Sequence, residues 1–139
     1  MRSMSVLIMA GALAGCTTAP PPPTDLAEGE AKLQKIIQGR VAGAPVDCMP
    51  SYNARHAETK VIDNQTVAFR VVGGPVYVNH LQAGSCSGLD SNFYQFVTKS
   101  YGANGLCRGD QAQVVDRRNG VNVGSCVIGE FTPYTRAAG

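Results

Sequence analysis

The sequence is poor in the residues from which most catalytic and metal sites are built. It has two histidines, and its carboxylates show no spacing typical of a glycosidase pair. Its cysteines include no CxxC pair, the spacing typical of zinc sites. Lysine and arginine form no block, and the formal net charge is +2, so a nucleic-acid-binding footprint is lacking. These absences predict no cofactor, no metal and no nucleic-acid partner.

The apolar run near the start is too short to cross a membrane. Residues 6–14 (VLIMAGALA) follow one charge at Arg2, whereas a spanning helix needs about 20 apolar residues. The next residues complete Leu13-Ala14-Gly15-Cys16, which resembles a bacterial lipobox. We therefore expect residues 1–15 to be a lipoprotein signal peptide and Cys16 to become the lipidated first residue, carrying palmitate-like chains. An ordinary secretory signal with a cysteine nearby is the alternative.

The residues after Cys16 predict the membrane to which the protein is sorted and a spacer that follows the anchor. Thr17 stands where aspartate would be the inner-membrane retention signal, so the expected location is the periplasmic leaflet of the outer membrane. The stretch APPPPT (19–24) favours an extended polyproline II conformation of ~3 Å per residue. We expect residues 16–24 to form a lipidated tether and residues 25–139 to form a single disulfide-stapled domain.

Four cysteines remain after Cys16 is assigned to lipid, namely Cys48, Cys86, Cys107 and Cys126. An even number in a small exported domain predicts two disulfides, because the periplasm is oxidising. We favour Cys86–Cys107 with Cys48–Cys126, since the second bridge would tie the entry of the domain to its last strand. Closing so long a loop is worth ~4 kcal/mol in the chain-entropy model. A strict up-and-down meander would instead place Cys107 beside Cys126, and that alternative stays open.

The periodicity of the domain changes from helical to alternating. A helix is predicted over residues 25–38, with Leu33, Ile36 and Ile37 on one side and Gly39 as a stop. About six short strands are predicted beyond it, with a frayed tail after Tyr134. The strands cover residues 58–63, 65–72, 76–81, 92–99, 111–116 and 121–128, and the strongest hairpin signal is Asn119-Gly120. The predicted fold class is mostly β (α+β), a small antiparallel β barrel or sandwich with one N-terminal helix.

Two short patterns invite a chemical interpretation. Cys86 with His80 or His56 is a conceivable nucleophile and base, but no third orienting group is marked and the cysteine is expected in a disulfide. Arg108-Gly109-Asp110 spells the integrin tripeptide, and we interpret it as a turn in which Arg108 pairs with a nearby carboxylate. We predict no catalytic residues.

The order of motifs across residues 47–134 resembles a known family. It runs through DCMP, VIDNQTVAFRV, YVNHL, GSCSGL, LCRGD, a late GSC and GEFTPY. This succession resembles small exported proteobacterial proteins grouped as domain of unknown function 6491. The resemblance implies a shared disulfide-stapled fold with the four cysteines as bridge partners, and it implies no activity.

The sequence therefore favours a non-enzymatic outer-membrane lipoprotein, a structural or binding module. Its expected partners are the membrane, through the lipid anchor, and an envelope protein or cell-wall component. The alternative is a small periplasmic inhibitor or ligand-binding protein that presents one exposed loop, for which residues 84–92 and 102–110 are the candidates. An envelope hydrolase is the third hypothesis, and it would need His56, His80 and a carboxylate around one cavity.

Overall fold

Two stacked antiparallel sheets and an N-terminal helix make up the domain. The computed structural model describes residues 24–84, 86, 88–89 and 91–138. The expected signal peptide, the lipidated Cys16 and the tether up to residue 23 lie outside the described residues. The helices are α1 (Thr24–Ile37) and α2 (Ser51–His56). The strands are β1 (Arg40–Ala42), β2 (Cys48–Met49), β3 (Ala57–Val61), β4 (Thr66–Val71), β5 (Val76–His80), β6 (Gln82–Gly84), β7 (Tyr94–Lys99), β8 (Leu106–Cys107), β9 (Gln111–Asp116), β10 (Asn122–Val127) and β11 (Phe131–Arg136).

The strands form two main sheets that stack like a sandwich. One sheet has the order β1-β11-β5-β4-β3, the other has the order β6-β10-β9-β7, and β2 and β8 pair separately. All the pairs are antiparallel. The predicted mostly-β fold with one N-terminal helix is confirmed, and the sheets are not closed into a barrel. Four of the eleven described strands have only two or three residues, too short for an alternating pattern to show.

The predicted helix is confirmed as α1, and it covers the outer face of the five-stranded sheet. Leu33 is buried there, while Ile36 and Ile37 pack beside it. Ala68 of β4 lies beneath the helix, whereas Val67 and Phe69 of the same strand face the space between the sheets. Strand β4 is therefore buried on both faces except at Arg70, and its alternation separates two hydrophobic clusters rather than core from solvent.

The main core lies between the two sheets. Phe131 is its fully buried centre, with ring centroids of Phe69 and Tyr77 at 5.8 and 6.3 Å. Val114 and Ala112 of β9 are also fully buried in this cluster. Complete burial of a side chain as large as valine or phenylalanine stabilises the fold by about 1.5–3 kcal/mol.

The tail forms a strand instead of fraying after Tyr134. Strand β11 pairs with β5 on one side and β1 on the other, up to Arg136. Pro133 lies within it and lacks an N–H donor, which is why its sequence does not read as an inner strand. Its carbonyl accepts a hydrogen bond of 2.7 Å from the Gly43 amide. Burial of Phe131 outweighs the weak local propensity.

The four predicted cysteines form two disulfides, but both predicted pairings are wrong. The bridges are Cys48–Cys107 and Cys86–Cys126. Cys48 and Cys107 are register partners in the separate β2–β8 pair, which removes Cys107 from the β9–β10 hairpin and from Cys126. Cys126 of β10 lies opposite Gly84 of β6, within reach of Cys86. The pairing is decided by which strands meet, and strands this short carry no sequence signal for it.

Candidate functional site

A cleft of about 850 Å³ lies along one open side of the sandwich. Strand β3 is the edge of the five-stranded sheet and β7 is the edge of the four-stranded sheet. Both edges line the cleft, together with the chain that leads into β7, Lys32 of α1 and Arg117 of the β9–β10 turn. The cleft exists because the two sheets meet at this side without a closing strand among the described residues.

The lining of the cleft consists mainly of hydrogen-bond donors around a small apolar floor. Three cations, two amides and three hydroxyls line it: Lys32, Lys60, Arg117, Asn92, Gln95, Thr59, Ser91 and Tyr94. The apolar part comes from Val61, Leu89 and Phe96. Among the described lining residues there is no carboxylate, histidine or cysteine. This chemistry suits a ligand rich in acceptors or negative charge.

Each cation of the cleft is oriented by a short-range contact. The Lys32 ammonium donates to the Val61 carbonyl at the end of β3, and Arg117 Nε donates to the Tyr94 carbonyl at 3.0 Å. The Lys60 ammonium lies 2.5 Å from a carboxylate oxygen of Glu58. This hydrogen bond and the charge of Lys60 hold the pKa of Glu58 below its usual value. The cations are thus placed at the rim, with donor capacity left for a ligand.

The predicted Asn119-Gly120 hairpin is confirmed, and it positions Arg117. Strands β9 and β10 pair around it, with Gly120 at φ 72°. The Asp116 carboxylate accepts hydrogen bonds from the Arg118 side chain and amide, which lower the pKa of Asp116. The Arg118 guanidinium also lies 5.6 Å from the centroid of the Phe93 ring. These contacts hold Arg118 against Asp116 and Phe93, and Arg117 is the arginine of this turn that lines the cleft.

The conceivable nucleophile and bases are not brought together. Cys86 is bridged to Cys126, so its sulfur is not a thiolate. Ala57, next to His56, pairs with Val71, whereas His80 pairs with Thr66. The two histidines therefore lie at opposite ends of β4, about 16 Å apart along the strand at ~3.3 Å per residue.

Both histidines have local partners. His56 Nδ1 is 2.7 Å from the Tyr52 carbonyl of its own helix, and His80 Nδ1 is 3.3 Å from the Thr66 hydroxyl. Neither histidine lines the cleft. Among the described residues, no group of three or more potential metal ligands lies close together.

The Arg108-Gly109-Asp110 tripeptide forms the turn that its sequence predicts. Arg108 Nη1 lies 2.7 Å from Glu130 Oε1 and 3.7 Å from Asp47 Oδ1, which confirms the expected pairing with a carboxylate. Asp110 is buried and accepts a 2.8 Å hydrogen bond from the Cys107 amide. The tripeptide is a structural element that connects β8 to β9.

The two loops proposed for an inhibitor differ in what the structure describes. In residues 84–92, positions 85, 87 and 90 lie outside the described residues, and Leu89, Ser91 and Asn92 line the cleft. In residues 102–110, Arg108 is held against Glu130. The second loop therefore presents no extended arginine to a partner.

The residues of the cleft were not predicted as a site. Lys32 is an exposed residue of α1, and Arg117 is an exposed residue of the turn between β9 and β10. What brings them together is the packing of α1 and of the hairpin at the same open side of the sandwich, and no short motif encodes it.

The chain was compared with protein families, with curated proteins and with solved structures. No family model, curated protein or solved structure matches the chain. The resemblance to small exported proteobacterial proteins therefore stays a prediction. Within the part of the chain that the structure describes, no helix is long and apolar enough to span a bilayer.

Proposed function

We propose that this protein is a non-enzymatic binding module, held at the periplasmic face of the outer membrane by lipid on Cys16. Its ligand is taken in the cleft between β3 and β7. The observation that carries the proposal is the described lining of this cleft, whose residues offer donors and cations in place of groups that titrate near neutral pH. General acid–base chemistry needs such titratable groups within hydrogen-bond reach of the substrate, whereas binding needs donors held in position.

The cleft favours an acceptor-rich polymer of the cell wall as its ligand. Glycan hydroxyls and peptide carboxylates would accept hydrogen bonds from Lys32, Arg117 and Gln95. The outer edges of β3 and β7 face no further strand among the described residues, so an extended chain has backbone groups to pair with there, although Lys32 and Arg117 already engage one carbonyl of each strand. A lipid anchor next to the outer membrane would keep the module within reach of the cell wall.

Removing two cations from the cleft should weaken binding to the cell wall. In the variant Lys32→Gln/Arg117→Gln, two charge-assisted hydrogen bonds to the ligand are lost. We expect affinity for purified cell-wall sacculi to fall at least about tenfold. Co-sedimentation of the full chain with sacculi over a range of protein concentrations measures this change.

The matched control removes the same charge elsewhere. Arg55 and Lys99 line neither the cleft nor the groove at the end of α1 that is described below. The variant Arg55→Gln/Lys99→Gln should bind sacculi as the unaltered protein does. Equal losses in both variants would indicate nonspecific charge attraction, and no binding by the unaltered protein would refute the cell wall as the ligand.

The anchor is tested separately. We expect Cys16→Ser to abolish incorporation of labelled palmitate and to leave uncleaved or released protein, because the thiol is the site of acylation. Thr18→Ala should leave labelling intact and serves as the control. Unchanged labelling of the Cys16→Ser protein would contradict the lipobox interpretation.

A further inference from the structure

A second groove, of about 540 Å³, lies at the C-terminal end of α1 on the outer face of the five-stranded sheet. We call it the basic groove, and it is lined by Lys35, Ile36, Gln38, Gly39, Arg40, Lys60, Arg70, Arg136 and Ala137. Five of these residues are cationic, and none of the described lining residues is a carboxylate. Of the described residues, Lys60 alone also lines the cleft between β3 and β7, so the two sites are largely separate.

Two arginines of the basic groove lie directly opposite each other. Arg40 of β1 and Arg136 of β11 are register partners, so their side chains project from the same face of adjacent strands. Like charges placed directly opposite in a sheet are destabilising. The fold places this repulsion at an edge where no core packing demands arginine, which points to a role in binding.

Among the described residues, these charges lack counter-ions. Arg40 Nη1 donates to the carbonyls of Gly74 and Tyr134 at 3.1 and 3.3 Å, which orient the guanidinium but do not neutralise it. Within the part of the chain that the structure describes, Arg40, Arg70, Arg136 and Lys35 form no ion pair.

The carboxylate on the neighbouring strand is already engaged. Glu58 lies opposite Arg70 in the β3–β4 register, but its carboxylate is hydrogen-bonded to the Lys60 ammonium at 2.5 Å. The Glu58 carboxylate therefore neutralises the charge of Lys60, and it attracts Arg70 without forming an ion pair with it. The basic groove therefore carries an excess of positive charge on groups that can form several hydrogen bonds.

We propose that the basic groove binds a ligand through a phosphate group. Guanidinium groups form paired hydrogen bonds with phosphate oxygens, and an arginine cluster is the usual means by which proteins recognise them. A phosphate monoester carries a charge of about −1.5 to −2 near neutral pH, so it offsets more of the excess charge than a single carboxylate would. Bound between Arg136 and Arg70, it would also relieve the repulsion between Arg136 and Arg40.

Thermal unfolding of the full chain with inorganic pyrophosphate tests the site. At saturating pyrophosphate, we expect a rise in Tm of at least about 5 °C over sodium chloride of equal ionic strength. The variant Arg70→Gln/Arg136→Gln should lose most of this rise. Without pyrophosphate its Tm should equal or exceed that of the unaltered protein, because the repulsion is removed.

Two further variants make the result specific. Arg70→Lys/Arg136→Lys keeps the charge but loses the paired donors, so it should retain only part of the rise in Tm. Arg55→Gln/Lys99→Gln loses the same charge outside the groove and should retain all of it. The proposal is wrong if pyrophosphate does not raise the Tm of the unaltered protein, or if the groove and control variants respond equally.

Vesicles distinguish a phospholipid headgroup from a soluble phosphate ester. Any lipid anchor inserts into phosphatidylcholine vesicles with or without phosphatidylglycerol, so only the difference between them reports on the groove. A gain on phosphatidylglycerol at 0.15 M salt that Arg70→Gln/Arg136→Gln lacks identifies the headgroup. A pyrophosphate effect without that gain identifies a soluble ester. An equal gain for the groove and control variants would contradict the assignment.

None of these variants alters Lys32 or Arg117, so failure here is distinguishable from failure of the cleft.

Discussion

Replacing Asn79 with leucine should destabilise the protein by about 3–5 kcal/mol, because three backbone groups lose their partner. Asn79 lies in β5 and is fully buried. Its carboxamide donates to the carbonyls of Gly129 and Glu130 at 2.8 and 3.1 Å and accepts a 2.9 Å hydrogen bond from the Gly129 amide. Leucine has a similar volume and can satisfy none of these groups.

The cost is large because the chain after β10 packs tightly against β5. A Cβ added at Gly129 would clash with the His80 carbonyl oxygen, so the segment lies directly against β5 with no room for water between them. Urea unfolding of Asn79→Leu measures the loss. Asn104→Leu, at an exposed loop position, should change the free energy of unfolding by less than about 0.5 kcal/mol. A loss below about 1 kcal/mol for Asn79→Leu would show that its hydrogen bonds are replaced.

Removing the Cys86–Cys126 bridge should cost at least about 4 kcal/mol of unfolding free energy. The two cysteines are 40 residues apart, and the chain-entropy model assigns ~4 kcal/mol to closing a loop of that length. Both sulfurs also lie in the buried core between the sheets, so Cys86→Ala/Cys126→Ala loses packing as well. Denaturant unfolding without reductant measures the change.

The other bridge supplies the comparison. Cys48–Cys107 closes a loop of 59 residues, so the entropic cost of Cys48→Ala/Cys107→Ala is similar, but both residues are only half-buried. We therefore expect the larger total loss at Cys86–Cys126. Peptide mapping without reduction should recover the fragments Cys48–Cys107 and Cys86–Cys126. A fragment that joins Cys107 to Cys86 or to Cys126 would contradict the described pairing.

Local sequence patterns predicted the elements whose signals are local. The apolar spacing of Leu33, Ile36 and Ile37 predicted α1, and Asn119-Gly120 predicted the hairpin between β9 and β10. Both depend on neighbours a few residues apart, which a single sequence displays directly. The even number of cysteines after Cys16 predicted two disulfides, because a count of residues does not depend on how the chain folds.

Features that depend on distant parts of the chain escaped prediction. The role of β11 was missed because Pro133 weakens its local signal, and only contacts with β1 and β5 stabilise it as an inner strand. The pairing of Cys48 with Cys107 follows from β2 meeting β8, strands of two residues each. Neither case offers a periodic pattern to detect.

The sequence by itself determined the class of fold and the number of bridges, and it predicts export and a lipid anchor at Cys16. Only the tertiary structure decided the disulfide pairing, the open cleft between β3 and β7, and the basic groove. Arg40 and Arg136 are far apart in the chain, and their charges face each other only because β1 joins the sheet beside β11. Sites of this kind arise from the register of distant strands, which is selected by burial of the whole core and not by any short segment.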